Sequence, residues 1–454
     1  MPLHFCHFLT LGFLVVGGLP AAARDPGSYR QPTAVILDST DNRLLLSNAK
    51  TGSISMIDLK SNRVSEFPLG GSLRDLVQTA PGRFLTVDFE KHQLIEFTIR
   101  DQSIEVVQQM TVSRYPHCVV ASPNGSQVYV SSLWSRQVTC LKRRGHGQPL
   151  QKVATIDFDF APREMLLLSS PDSNQPSQMI VAGNYRGKLA VVNCEENSIE
   201  FVHQTTAHNI RGLGLVDDGK TILVSHQMLN ELAHTSRNDI HWGLLMSNDL
   251  RWFRRDALLR QDSQLYRFSH MHPLGKENHA AGDPGRLAVT PDQTVLVTIS
   301  GTNEIAFGKE DDFWLRRVKV GRRPVDVAVD PEGRFAYVAN AFDDSVSVFE
   351  IASRKVVETI SLGAGRSLTQ TEKGEQLFFD ASLSHDGWMS CHSCHTDGHT
   401  NGGLNDNFSD GSFGAPKRVL SLLGSKGTEP LAWNGQEFDR LHHEIKRPSR
   451  QGED

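Results

Sequence analysis

Three stretches of this 454-residue chain can be laid over one another. They are PHCVVASPNGSQVYVSSLWSRQVTCL from Pro116, DPGRLAVTPDQTVLVTISGTNEIAF from Asp283 and RPVDVAVDPEGRFAYVANAFDDSVSVFEI from Arg323. Each has a short apolar strand, a proline-led turn, a second strand, then polar residues and a third strand. Pro116, Pro284 and Pro324 stand seven residues before Pro123, Pro291 and Pro331. Weaker copies begin at Thr33, Leu73, Arg163 and Ile210, which makes seven units, mostly 40 to 47 residues apart. Short alternating apolar runs between Gly, Pro and Asp turns mean antiparallel strands. A unit this small cannot bury its own faces, and stacking in a closed ring buries them all. The pattern predicts a mainly β chain with a seven-bladed β-propeller over 33–363.

After Leu362-Gly363 the strand rhythm stops. Thr369-x-x-Glu372 offers a capping box ahead of the apolar Leu377-Phe378-Phe379, so a helix and a smaller domain are expected over 366–454. That domain carries Cys391-His392-Ser393-Cys394-His395. Two thiols one turn apart can each add to a haem vinyl group, with the histidine beside the second placed to ligate the iron. A zinc site of Cys391, Cys394, His395 and His399 is the first rival, although adjacent Cys394 and His395 would be cramped on one tetrahedral ion. A redox dithiol is the second, and it needs a βαβ setting that is absent here. Covalent haem c on Cys391 and Cys394, with His395 as proximal ligand, is the favoured reading.

Two resemblances follow from these residues. The strand Phe335-Ala336-Tyr337-Val338-Ala339-Asn340 resembles the YVTN-type β-propeller family, which implies the fold and leaves function open. The run GEQLFFDASLSHDGWMSCHSCHTDGHTNGG resembles the first haem-binding region of the bacterial di-haem cytochrome c peroxidases, a family that includes methylamine-utilisation-type enzymes. Further on, Arg418-Val419-Leu420-Ser421-Leu422 and Trp433-Asn434-Gly435 match the same family. The resemblance implies a small α-helical cytochrome c-like domain in which Trp433 passes electrons between two haems. Arg418 would polarise a bound peroxide, or else contact a haem propionate or the backbone.

The departures from that family are informative. Its second C-x-x-C-H does not occur in these 454 residues, so the domain reads as incomplete, with a second haem in a longer form or in a partner. No methionine follows Met389, and the position of a distal histidine about 16 residues after the proximal one is Gly411. His399, His442 and His443 remain as distal candidates, or the position is open.

Between the fifth and sixth units, at about 228–283, lies an insertion holding His234, His241, His270, His272 and His279, with His226 just before it. Its stretch NDLRWFRRDALLRQDSQL has helical spacing. A multi-histidine copper cluster on a seven-bladed propeller is known in nitrous oxide reductases. No H-x-x-x-H pair on an evident helix appears here, so a solvated or haem-facing cap is the plainer reading.

Residues 1–23 carry an apolar run ending in Ala21-Ala22-Ala23, which reads as a secretory signal despite an n-region without Lys or Arg. Cleavage there removes Cys6 and leaves five cysteines, an odd number and no disulfide framework. Cys118, Cys140 and Cys194 sit in apolar runs as core thiols. The net charge of −5 gives no basic field for nucleic acid, and the mature chain has no stretch suited to a membrane span. The expectation is an exported, periplasmic or cell-envelope haem oxidoreductase. It would be served by a redox partner protein or second haem domain, with peroxide or another small oxidant as substrate. A pure electron-transfer cytochrome and a propeller-based interaction protein are the alternatives.

Overall fold

The computed structural model describes residues 29–428, apart from 39, 101, 146, 170–175, 407–413 and 427. The expected signal segment, Gly411, Trp433, His442 and His443 lie outside the described residues. Seven antiparallel sheets of four strands occupy 32–68, 73–111, 116–157, 162–205, 208–273, 284–319 and 324–361, here blades one to seven. In every blade the strands pair in chain order, and the first strand of each neighbours that of the next until blade seven meets blade one. Burial follows the radius. The second strand of blade one, Arg43–Asn48, is buried throughout, whereas the last strand of blade seven, Lys355–Ser361, is mostly exposed.

The repeat signature has a structural meaning. Pro116, Pro162, Pro284 and Pro324 open inner strands, where a missing N–H costs little. Asn340, last residue of its strand, donates to Ser345 Oγ at 3.1 Å and Ser347 Oγ at 2.9 Å. Asn48 does the same in blade one with Ser53 and Ser55. The cysteines of blades three and four are buried, and burial pushes the Cys140 thiol up to about 12.

Among the described residues no strand is exchanged between blades one and seven, and side chains add to the packing that closes the ring. Asp344 of blade seven accepts the backbone N–H groups of Arg30 at 2.7 Å and Gln31 at 2.8 Å. Asp326 accepts the N–H of Val35 at 2.9 Å. In the central channel, Arg286 reaches Asp75 at 2.6 Å, Glu164 at 3.3 Å and Asp326 at 3.6 Å. Three inner strands are thereby bound to a fourth by one guanidinium.

The 228–283 segment corrects the sequence reading. It is the outer half of blade five rather than an insertion between units. Met246–Arg254 pairs with Thr221–Leu229 along its full length, and His270–Pro273 forms the edge. Only Arg255–Leu258 of the expected helix is helical. Trp252 and Leu250 are buried on a face that alternates with Arg251, and pairing with a complete neighbouring strand overrides a helical spacing.

Candidate haem-attachment site

The segment after the ring folds back onto one face of the propeller. Thr369 and Glu372 form the expected capping box at the start of the helix Gln370–Phe378. The chain then runs against blade six: Ala381 N donates to Gly301 O at 2.9 Å, and Gly282 N to Gly387 O at 2.9 Å. Glycine is needed at 301 because a Cβ there would come within 2.8 Å of Ala381 Cβ. Trp388 buries its indole beside Ile240 and Leu245, donating Nε1–H to His241 O at 3.2 Å.

Cys391–Cys394 is a single helical turn. Residues three apart on a helix share a face, so the two cysteines look one way and the residues between them the other. His392 and Ser393 are buried against the propeller, whereas Cys391 and Cys394 keep partial exposure. The Ser393 carbonyl accepts from His208 Nε2 at 3.2 Å and Asn209 Nδ2 at 3.1 Å. Its hydroxyl donates to Asp283 Oδ1 at 2.7 Å, and the Ser390 hydroxyl donates to the other oxygen of that carboxylate. His392 lies 3.2 Å from Arg211, with Asp283 and Asp397 each at 3.5 Å. Asp397 is gripped by Arg163 at 2.8 Å and Asn184 at 2.8 Å. Burial works to raise the Asp397 carboxyl, but Arg163 and Arg211 hold it well below the usual carboxylate range.

The outward face suits a covalently attached haem. Neither cysteine is in a disulfide. Burial, then Cys391 and Asp283, push the Cys394 thiol up to about 12, the opposite of the lowered thiol of a reactive dithiol. His395 Nδ1 stands 2.8 Å from the Leu420 carbonyl. A carbonyl can only accept, so Nδ1 carries a proton, the arrangement that leaves Nε2 as the ligating atom of a neutral metal-binding imidazole. Leu420, Leu422 and Leu423 are 39%, 40% and 52% exposed beside this turn, with Leu422 N bonded to Gly398 O at 3.0 Å. Such an apolar rim matches the edge of a macrocycle.

The inward side of the same turn roofs a cavity of about 580 Å³ at the mouth of the propeller channel. Arg74, His117, Arg163, Arg211 and Arg323 line it, with Phe378, Phe379 and His392 above. Arg323 stacks on Phe379 at 3.5 Å, and Arg74 on Phe89 at 4.8 Å. Burial, with Arg163 beside it, keeps His117 well below the usual imidazole range.

Of the sequence-predicted residues, Cys391, Cys394 and His395 come together on the one turn. His399 is held apart from them: its Nδ1 meets Ser421 Oγ at 2.6 Å, and its ring packs edge-on to Trp134 and Tyr185. Arg418 lies on a two-residue strand paired with Leu404–Asn405. Sequence reasoning missed the residues that seat the turn: Asp283, Asn209, Arg211 and Gln227, whose amide donates to Ser393 Oγ at 3.2 Å. Their signal was faint: Asp283 stands directly before a repeat proline, where it read as turn chemistry.

Residues 369–453 match the family model of the di-haem cytochrome c peroxidases. That span takes in Cys391, Cys394, His395, Arg418 and Trp433. Among solved structures, the chain is similar to Kuenenia stuttgartiensis hydrazine synthase, with 18% identity and a TM-score of 0.61, covering 72% of this chain and 97% of that one. It is also similar to the β-propeller domain of Myceliophteria thermophila Cps50 (Swd1), with 12% identity and a TM-score of 0.52, covering 71% of this chain and 98% of that one. At such identities the likeness shows the fold alone. No curated protein matches. The expected architecture is found: a seven-bladed propeller followed by a segment that resembles the di-haem cytochrome c peroxidases.

Proposed function

We propose that the chain is an exported c-type haem oxidoreductase of the peroxidase-like class, built on a propeller that presents the haem-bearing turn. The observation that carries this reading is the division of labour within Cys391–Cys394, with both cysteines half-exposed and the intervening residues anchored in the propeller. Cys391 and Cys394 would hold the haem covalently. His395 would ligate its iron through Nε2, oriented by the Leu420 carbonyl. Bound there, haem supplies one-electron chemistry at iron. Reducing a peroxide takes two electrons, so a redox partner protein or a second haem domain would complete the reaction, with Trp433 on the route. Arg418 is the candidate cation for the oxidant, and the propeller is the docking or substrate domain. No helix among the described residues is long and apolar enough to cross a membrane, and the matched family suits a periplasmic site of action.

The test is the visible spectrum of protein matured in a periplasm equipped for c-type haem, ferric and then dithionite-reduced. The expected result is a Soret band that survives acid–acetone extraction and is lost on Cys391→Ala/Cys394→Ala replacement. Absence of that band after competent maturation would sink the reading. High-spin ferric bands would favour peroxide chemistry, and low-spin bands in both states would favour electron transfer alone.

A further inference from the structure

We propose that His241, His385 and Asp386 form a binding site for one divalent transition-metal ion, zinc or copper(II), outside the haem turn. The three residues come from different parts of the chain. His241 ends the short helix Arg237–His241 in the blade-five excursion, and His385 and Asp386 lie in the segment leading to Cys391. One ligand atom from each lies within 4.8 Å of the others, the only such group of three among the described residues. Asp386 Oδ2 is 2.8 Å from His241 Nδ1 and 3.5 Å from His385 Nε2. Ligands on a tetrahedral zinc at about 2.0–2.1 Å stand about 3.3 Å from one another. The His385–Asp386 spacing already fits, the His241–Asp386 spacing has to open by about half an ångström, and the two imidazole nitrogens, within 4.8 Å of each other, have to close by no more than about 1.5 Å. Two imidazoles and a carboxylate are the donor set of an open zinc site, with a water completing the shell, and copper(II) accepts the same atoms.

The surroundings hold the three side chains in place and leave them open to solvent. Asp386 sits at φ +60°, a left-handed conformation that aspartate tolerates better than most residues. Here the Ala280 N–H bonds its carbonyl at 3.1 Å and the Asn278 N–H its carboxylate at 3.2 Å. His241 is fixed from behind through its own carbonyl, which takes the Trp388 indole N–H. The side chains of His241, His385 and Asp386 are 26%, 25% and 12% exposed, so an ion can enter from solvent yet would be half enclosed. A second close histidine pair, His270 and His272, has no carboxylate third among the described residues, and His272 Nε2 is already bonded to Asp312 O. The bound ion would tie blade five to the stretch that carries the C-x-x-C-H turn.

The proposal stands on this geometry and not on the haem reading. The full chain, stripped with chelator and with its cysteines occupied by haem or alkylated, is titrated with zinc chloride by calorimetry. One equivalent is expected to bind. His241→Ala and His385→Ala should each weaken binding at least about tenfold, whereas His270→Ala leaves it unchanged. Copper(II) added to the same protein should show nitrogen couplings from two imidazoles by electron paramagnetic resonance, and from one in His385→Gln. No stoichiometric binding, or binding untouched in a His241→Ala/His385→Ala variant that melts as the parent does, overturns the site.

Discussion

Asp283 sits at φ +57°, just before the inner strand of blade six, and its carboxylate faces Ser390, Ser393 and His392 at once. All four groups are buried, so losing the acceptor strands three donors with no water to replace it. Asp283→Ala should therefore destabilise the folded chain by about 3 kcal/mol, the cost of breaking a buried polar pair from one side. Asp283→Asn keeps one acceptor oxygen and tolerates the left-handed backbone, so it should lose less than half of that. Urea unfolding of both variants decides the matter, and equal losses would mean that the side chain is not acting as an acceptor. Such a role was not legible in sequence. An aspartate before a proline is ordinary turn chemistry, and its partners lie more than a hundred residues away.

At the scale of elements, the sequence was most readable where the repeat was most regular. Prolines seven apart marked the inner strands of blades three, six and seven because φ restriction and the turn that follows recur at fixed places. Blade five was read poorly. Its third strand is reached only after an excursion through 230–245, so spacing offered no register, and Leu250, Trp252 and Phe253 satisfy two periodicities. The C-x-x-C-H turn was legible as chemistry but not as packing, since nothing in the motif says which face is anchored. The excursion and the turn meet where Gly243, at φ +66°, faces Trp388: a Cβ there would lie 2.6 Å from the indole. Gly243→Ala should cost about 1–3 kcal/mol through overcrowding and the disfavoured backbone. It should also shift Trp388 fluorescence to the red, and a variant matching the parent in both melting and emission would refute the contact.

Across the whole molecule the ring is held shut by charge as well as by packing. Burial raises the Asp326 carboxyl from an ordinary 3.8 to about 6, against the lowering pull of Arg286 and the Val35 N–H. Between those two pH values the folded ring keeps a proton that the unfolded chain has already released. The contribution of this group to stability therefore declines as pH rises through that window, by about 3 kcal/mol in full. Asp326→Asn cannot titrate, so its stability relative to the parent should climb by about that amount from pH 4 to pH 7. Parallel stability curves for the two proteins would show that Asp326 does not carry a raised pKa.

The grip of Asp344 on the backbone of Arg30 and Gln31 also has a bearing on biosynthesis. These partners are 314 and 313 positions apart. The first blade is made early, yet the Arg30 and Gln31 N–H groups meet the Asp344 carboxylate only once the seventh has been synthesised. Contacts so distant carry a large loop-closure cost and form late. A chain still emerging from the ribosome would thus hold six blades as an open arc. Both rims of that arc would stay adhesive until the last hairpin arrives, which is the interval in which a chaperone would matter most.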